Sequence, residues 1–227
     1  PDLRTRFSQA VEAYNHGEYA DAVAGFSALA ETGLVNGALA YNLGNAMLKS
    51  GDTGRAILWY ERARRLMPRD PDLAFNLDYA RSLVKDEPMG QGNALVRVLF
   101  VWKDMLSQRS LQILTLSCNA AFWLCLVAMR LFPRLRLKSL ATLAVLATLL
   151  FAPTLLYLEY GSRFAPQAVI LAPEAPVRAG RSELATELFT LHAGSKVLVE
   201  ATENGYLRIR FAADKVGWLP AEAAAVI

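Results

Sequence analysis

Histidine, cysteine, serine and paired carboxylates carry most protein chemistry, and in this sequence they are few and scattered. His16 and His192 are the only histidines. They stand near opposite ends of the chain, and neither has cysteine or carboxylate neighbours at ligand spacing, so no metal site is expected. Cys118 and Cys125 are the only cysteines. Seven residues apart on a helix, they would share a face but lie about 10 Å apart along the axis, too far for a disulfide. They read as small apolar fillers. No glycine-rich loop precedes a Lys-Ser/Thr pair to cradle a phosphate, and no serine occupies a nucleophile elbow. Asp70-Pro71-Asp72 fits a helix start better than a pair of catalytic acids. The expectation is a protein that is not an enzyme and holds no cofactor.

What remains is binding, and the elements that would position it begin with a repeat. Offsetting the first 70 residues by 34 aligns Gln9-Ala10, Ala13, Gly17, Ala22, Phe26 and Leu29 with Leu43-Gly44, Met47, Gly51, Ala56, Tyr60 and Ala63; Pro68 closes the second unit. Small residues at Ala10/Gly44 and Ala22/Ala56 let two helices cross closely, and Gly17 and Gly51 make the turns. A third helix, Asp72 to Val84, repeats the first-helix pattern with Leu77 in place of Leu43. This region, residues 1–86, resembles the tetratricopeptide family. Its first helices would then line a concave peptide groove. The resemblance picks out Phe7, Val11, Tyr14 and Asn15, then Tyr41, Asn45, Leu48 and Lys49, with Tyr14, Asn15, Tyr41, Asn45 and Lys49 as the binding candidates. About three repeats are usually needed for stability. So short a stack is expected to lean on a partner or on the membrane.

Charge separates the chain into three parts. Residues 1–93 hold 10 Lys and Arg against 12 Asp and Glu, residues 94–163 hold 8 against 2, and residues 164–227 hold 6 against 7. The basic excess sits in the apolar middle, so the footprint of a nucleic-acid partner is missing from both flanking parts. A mean hydropathy of +0.23 is high for a soluble protein. The stretches Leu111 to Met129 and Ser139 to Leu158 contain no charge, and each approaches the roughly 20 residues that cross a hydrocarbon core. They predict a two-helix transmembrane hairpin over residues 110–160. Between them Arg130, Arg134, Arg136 and Lys138 make a loop without acids, and short basic loops stay cytoplasmic. Both flanking parts would then face the periplasm across a bacterial inner membrane, which implies a signal sequence removed ahead of Pro1. Within residues 87–109, 87–93 read as a linker and 94–106 as an amphipathic helix lying along the membrane surface.

From residue 164 the pattern changes to short strands: 168–172, 188–192, 196–202, 206–211 and 216–220, with turns at Ala193-Gly194-Ser195 and Asn204-Gly205. Five strands in so short a stretch suggest a small barrel. GSKVLVEATENGYLRIRF followed by DKVGWLP resembles a bacterial SH3-type domain. Of the aromatic cluster that proline-rich ligands use, Tyr206, Trp218 and Pro220 remain, while the first strand and the closing AEAAAV lack theirs. Peptidoglycan is an alternative ligand for this surface, and packing against another domain is a third use.

The fold class expected is therefore a multidomain membrane protein: α-helical tetratricopeptide repeats, a transmembrane hairpin and an all-β SH3-like module. That order, with the motif AILWYERARRLMPRDPDLAFNLDYAR, resembles the repeat-bearing membrane component of the Bat aerotolerance family. The resemblance implies a scaffold or adaptor at the membrane, with von Willebrand factor A-type partners and a MoxR-type ATPase, linked to stress or oxygen tolerance. A cell-wall anchor and a peptide-holding assembly chaperone are the competing readings. A periplasm-dependent reporter fused after Lys85 or after Ile227 is expected to be active; silence of either fusion refutes the topology.

Overall fold

Short side chains that accept hydrogen bonds mark most helix starts in the computed structural model, which describes residues 2–33, 36–86, 105–164 and 166–227. α1 (Leu3–Asn15) is capped by Asp2, α3 (Gly37–Lys49) by Asn36, α4 (Thr53–Leu66) by Asp52 and α5 (Pro71–Ser82) by Asp70. Each side chain accepts an N–H group of the first turn that has no partner inside the helix. Asp70 takes the Leu73 N–H, and Pro71 fills the first turn at no cost in hydrogen bonds. α2 (Tyr19–Ala30) starts without a side-chain cap. Gly17 and Gly51 turn α1 into α2 and α3 into α4 with φ of +82° and +89°, a backbone that other residues adopt only under strain.

The five helices pack as successive pairs around one core. Ala22 and Ala56, 34 residues apart, are both completely buried, as are their partners Phe26 and Tyr60. A Cβ on Gly44 would stand 2.6 Å from the Tyr60 ring, so the glycine is what lets α3 and α4 approach. α5 adds Leu73, Leu77 and Ala80 to the same core.

Seven strands follow: β1 (Gln167–Ile170), β2 (Glu174–Arg178), β3 (Glu187–His192), β4 (Lys196–Glu203), β5 (Tyr206–Arg210), β6 (Val216–Pro220) and β7 (Ala224–Val226). They form one antiparallel sheet in the order β3-β2-β6-β5-β4-β1-β7. Leu191 of β3 and Ala224 of β7, from its two ends, share one buried cluster with Val199 and Ile209, so the sheet wraps around a single interior. Asn204 and Gly205, both at positive φ, join β4 to β5. Two strands were not expected. β2 contains Pro176, which cannot donate to a ladder and hides a strand from sequence patterns. β7 is a run of alanines ended by Val226, held by pairing with β1 (Ala168 with Val226, Ile170 with Ala224) rather than by strand-favouring side chains.

Helices α1–α5 and the sheet belong to one compact unit, Pro1–Gly92 with Phe164–Ile227. β1 explains why. Ala168 and Ile170 point into the sheet's interior, while Val169 between them is part of the helical core with Leu171, Ala225 and Ile227 beside it. A strand buried on both faces needs the continuous apolar run that AVILA supplies.

The second unit, Asn93–Arg163, contains α6 (Gln108–Leu131), while α7 (Lys138–Phe164) ends one residue beyond it. An 18-residue stretch of mean hydropathy 1.8 within α6 and one of 2.0 within Lys138–Tyr160 make both helices long and apolar enough to cross a membrane. They run further than the uncharged stretches: Arg130 lies in the last turn of α6 and Lys138 is the first residue of α7. The hydroxyls of Thr115, Thr142 and Thr148 donate to the carbonyls four residues earlier, which spares the surroundings from having to solvate them. Cys118 and Cys125 are free thiols. The linker over 87–93 and most of the surface helix over 94–106 lie outside the described residues.

The β3–β4 turn lies close against the helical part at Gly194, φ +93°, where a Cβ would stand 2.6 Å from Val84 Cγ2 and 2.9 Å from Ile57 Cδ1. Gly194→Ala is expected to cost about 2–4 kcal/mol. Gly17→Ala, with nothing within 4 Å, should cost about 1–2 kcal/mol of backbone strain alone. Thermal unfolding of the two variants side by side checks this; equal midpoints would mean that the sheet does not press on α4 and α5.

Candidate functional site

A carboxylate on the outer side of α4 organises the junction between helices and sheet. Glu61 is only 2% exposed. Its position follows from the helical period: Gly54, Ile57 and Glu61 share the stripe of α4 that faces the sheet. Three cations from three elements meet it. Arg64 of α4 reaches Oε2 at 2.7 Å, Arg81 of α5 reaches Oε1 at 2.6 Å, and Lys196 of β4 reaches Oε1 at 3.1 Å. Burial pushes the Glu61 carboxyl up, but Lys196, Arg64 and Arg81 together outweigh it and hold the pKa at about 2. Burial pushes Lys196 down, against the pull of Glu61, with Arg64 and Arg81 adding repulsion.

A second polar tie lies at the end of the helical segment. Asp86 accepts the His192 main-chain N–H at 2.7 Å, lies 3.0 Å from the His192 Nδ1, and accepts the Ser195 hydroxyl. Burial raises the Asp86 pKa, and the bonds from Ser195 and His192 more than reverse it. Ser, His and Asp together invite a comparison with nucleophilic catalysis, which needs the serine hydroxyl on the histidine ring. Here the hydroxyl and the ring both address the carboxylate, so the His192 ring is not placed to activate Ser195. The three residues fasten the β3–β4 turn to the end of α5. A third tie comes from Arg62 and Arg65, which donate to the carbonyls of Val226 and Ile227 at 3.0 and 2.8 Å.

The junction also borders an open cleft of about 760 Å³, lined in part by Asp52, Arg55, Lys85, His192 and Glu222. Asp52 is already paired with Arg55 at 2.6 Å. Among the described residues no group of three His, Cys, Asp or Glu side chains could hold a metal ion.

The residues picked for a groove occupy α1 and α3, and α5 lies beside α3. Asn15 and Lys49, 34 positions apart, are exposed. Tyr14 is half-buried, edge-on to Tyr19 at 5.5 Å, and burial raises its hydroxyl pKa, helped by Tyr19 and Tyr41. Tyr41 and Asn45 are committed to internal bonds: Asn76 of α5 donates to the Tyr41 hydroxyl at 3.0 Å and to Asn45 Oδ1 at 2.9 Å. Tyr60 donates to the same Asn45 oxygen at 2.7 Å. Phe7 and Val11 pack against the helical core.

Tyr206, Trp218 and Pro220 come together on the outer face of the sheet. Tyr206 pairs directly with Pro220, and Trp218 sits opposite Arg208, while Leu207, Ile209 and Leu219 between them point inward. Trp218 is therefore a surface residue, half-buried, with the Arg181 guanidinium 5.3 Å from its ring centre. Arg130, Arg134, Arg136 and Lys138 are all exposed around the α6–α7 connection.

Sequence reasoning raised packing of the sheet against another domain but did not pick out Glu61, Asp86 or Lys196. The signal was a glutamate on an apolar stripe, with Arg64 one turn on. No protein-family model matches the chain, and no curated protein matches it either.

Glu61→Gln keeps the shape and removes the charge that three cations face, at an expected cost of about 3–5 kcal/mol at neutral pH. Because the folded pKa is depressed, the carboxylate stabilises the fold above its ordinary value of 4.5 and loses that effect as pH falls toward about 2. Unfolding midpoints across pH 5 to 2 should fall steeply for the parent and less for the variant. Equal slopes would remove Glu61 from the acid response.

Proposed function

We propose that this chain is a non-catalytic membrane scaffold whose helical and sheet parts form one docking body, and whose remaining segment is a transmembrane hairpin. The observation that carries the reading is the junction itself. Residues 61 and 196, or 86 and 192, cannot touch across a bilayer, so the segments holding them occupy one compartment. The polypeptide between them then crosses a membrane an even number of times. Two apolar helices satisfy this condition. The basic connection, by the tendency of such loops to stay cytoplasmic, supports a docking body on the periplasmic side of a bacterial inner membrane.

In this reading the helices are tetratricopeptide repeats, the sheet is an SH3-type module, and the sheet serves as the support that so short a stack requires. The face of α1 and α3 marked by Tyr14, Asn15 and Lys49 takes an extended segment of a partner. Tyr206, Trp218 and Pro220 form a second contact strip. The order of parts supports a complex of the Bat type, with von Willebrand factor A-type membrane proteins as partners.

A pull-down of the full chain in mild detergent, followed by mass spectrometry, is expected to recover a membrane protein of that type. Asn15→Ala with Lys49→Ala should lower its recovery about tenfold or more without changing the unfolding temperature. Undiminished recovery would remove the groove from the reading, and absence of any partner from the parent would sink the scaffold itself.

A further inference from the structure

The α6–α7 connection, residues 132–137, has more chemistry than a tether needs. Arg130, Arg134, Arg136 and Lys138 are exposed, no acid lies between 130 and 138, and among the described residues no ion pair involves any of them. Large apolar side chains alternate with these cations and face solvent just as openly: Leu131 is 66% exposed, Phe132 60% and Leu135 47%. Cations and exposed apolar groups interleaved in this way match the boundary where phosphate headgroups meet acyl chains. A soluble acidic partner would account for the cations and leave Phe132 and Leu135 unexplained.

We propose that this connection is a docking site for the phosphate headgroups of anionic phospholipids. Arg134 and Arg136 take phosphate oxygens through paired N–H donors, Arg130 and Lys138 flank them, and Phe132 and Leu135 enter the acyl boundary. The inference rests on the reading that α6 and α7 span a bilayer, which sets the loop at headgroup depth.

The full chain in detergent, equilibrated with equal phosphatidylcholine and phosphatidylglycerol, should retain mainly phosphatidylglycerol by native mass spectrometry. Arg134→Gln with Arg136→Gln should reduce that preference about tenfold or more, since each basic residue near an anionic surface contributes severalfold. Arg4→Gln with Arg6→Gln, which removes the same charge elsewhere, should leave it unchanged. No preference in the parent, equal preference in the loop variant, or equal loss in the control overturns the inference. So does a loop variant that keeps its lipid and loses a co-purifying protein. Alkaline carbonate washing separates the two failures: release of the chain from membranes refutes the spanning reading and the inference with it. Retention together with a failed lipid test refutes the inference alone.

Discussion

An ionised carboxylate out of water must be surrounded by compensating charge, and Glu61 meets that demand only when α4, α5 and β4 are all in place. Apolar contact between helices and sheet, from Ile57, Val84, Val169 and Ala225, is non-directional and would tolerate sliding. A carboxylate shared by three cations does not. It selects one register of the sheet against the helices, and Asp86 and the Arg62–Arg65 pair hold that register at points along the same junction. Burial of Lys196 works against its own charge, so the cluster contributes specificity as much as stability.

The two helical pairs show how one side-chain change recruits another. Val11 and Phe26 in the first stand where Asn45 and Tyr60 stand in the second, 34 residues on. Both aromatic rings are fully buried, but only tyrosine brings a hydroxyl that must find an acceptor. Asn45 supplies it, and its oxygen also accepts from Asn76 of α5. The polar pair thus ties α5 to α3 and α4 through Asn76. Asn45, chosen from its position as a ligand-facing residue, turns out to be occupied within the fold.

Much of the local structure was legible because it follows from short-range rules. Asp70-Pro71 announces a helix, Gly17 and Gly51 announce turns, and Asn204-Gly205 announces a hairpin. The two long apolar helices declare themselves by length. What escaped was decided by distant partners. Pro176 argues against a strand until β3 and β6 flank it. The alanines of β7 form a strand only because β1 offers a free edge, and Glu61 looks like an ordinary surface acid until Lys196 arrives. AVILA was a further local hint, since an uninterrupted apolar strand needs cover on both sides.

Order of synthesis gives the junction one further consequence. Glu61 and Lys196 are 135 residues apart in sequence, and both apolar helices are made between them. Helices α1–α5 therefore exist for a time with the sheet-facing side of α4 uncovered and a carboxylate held by two arginines alone. Closing so long a loop is slow relative to local folding, so the nascent chain passes through a period in which this side is open to chaperones, proteases and aggregation. The last strands to emerge are the ones that end it.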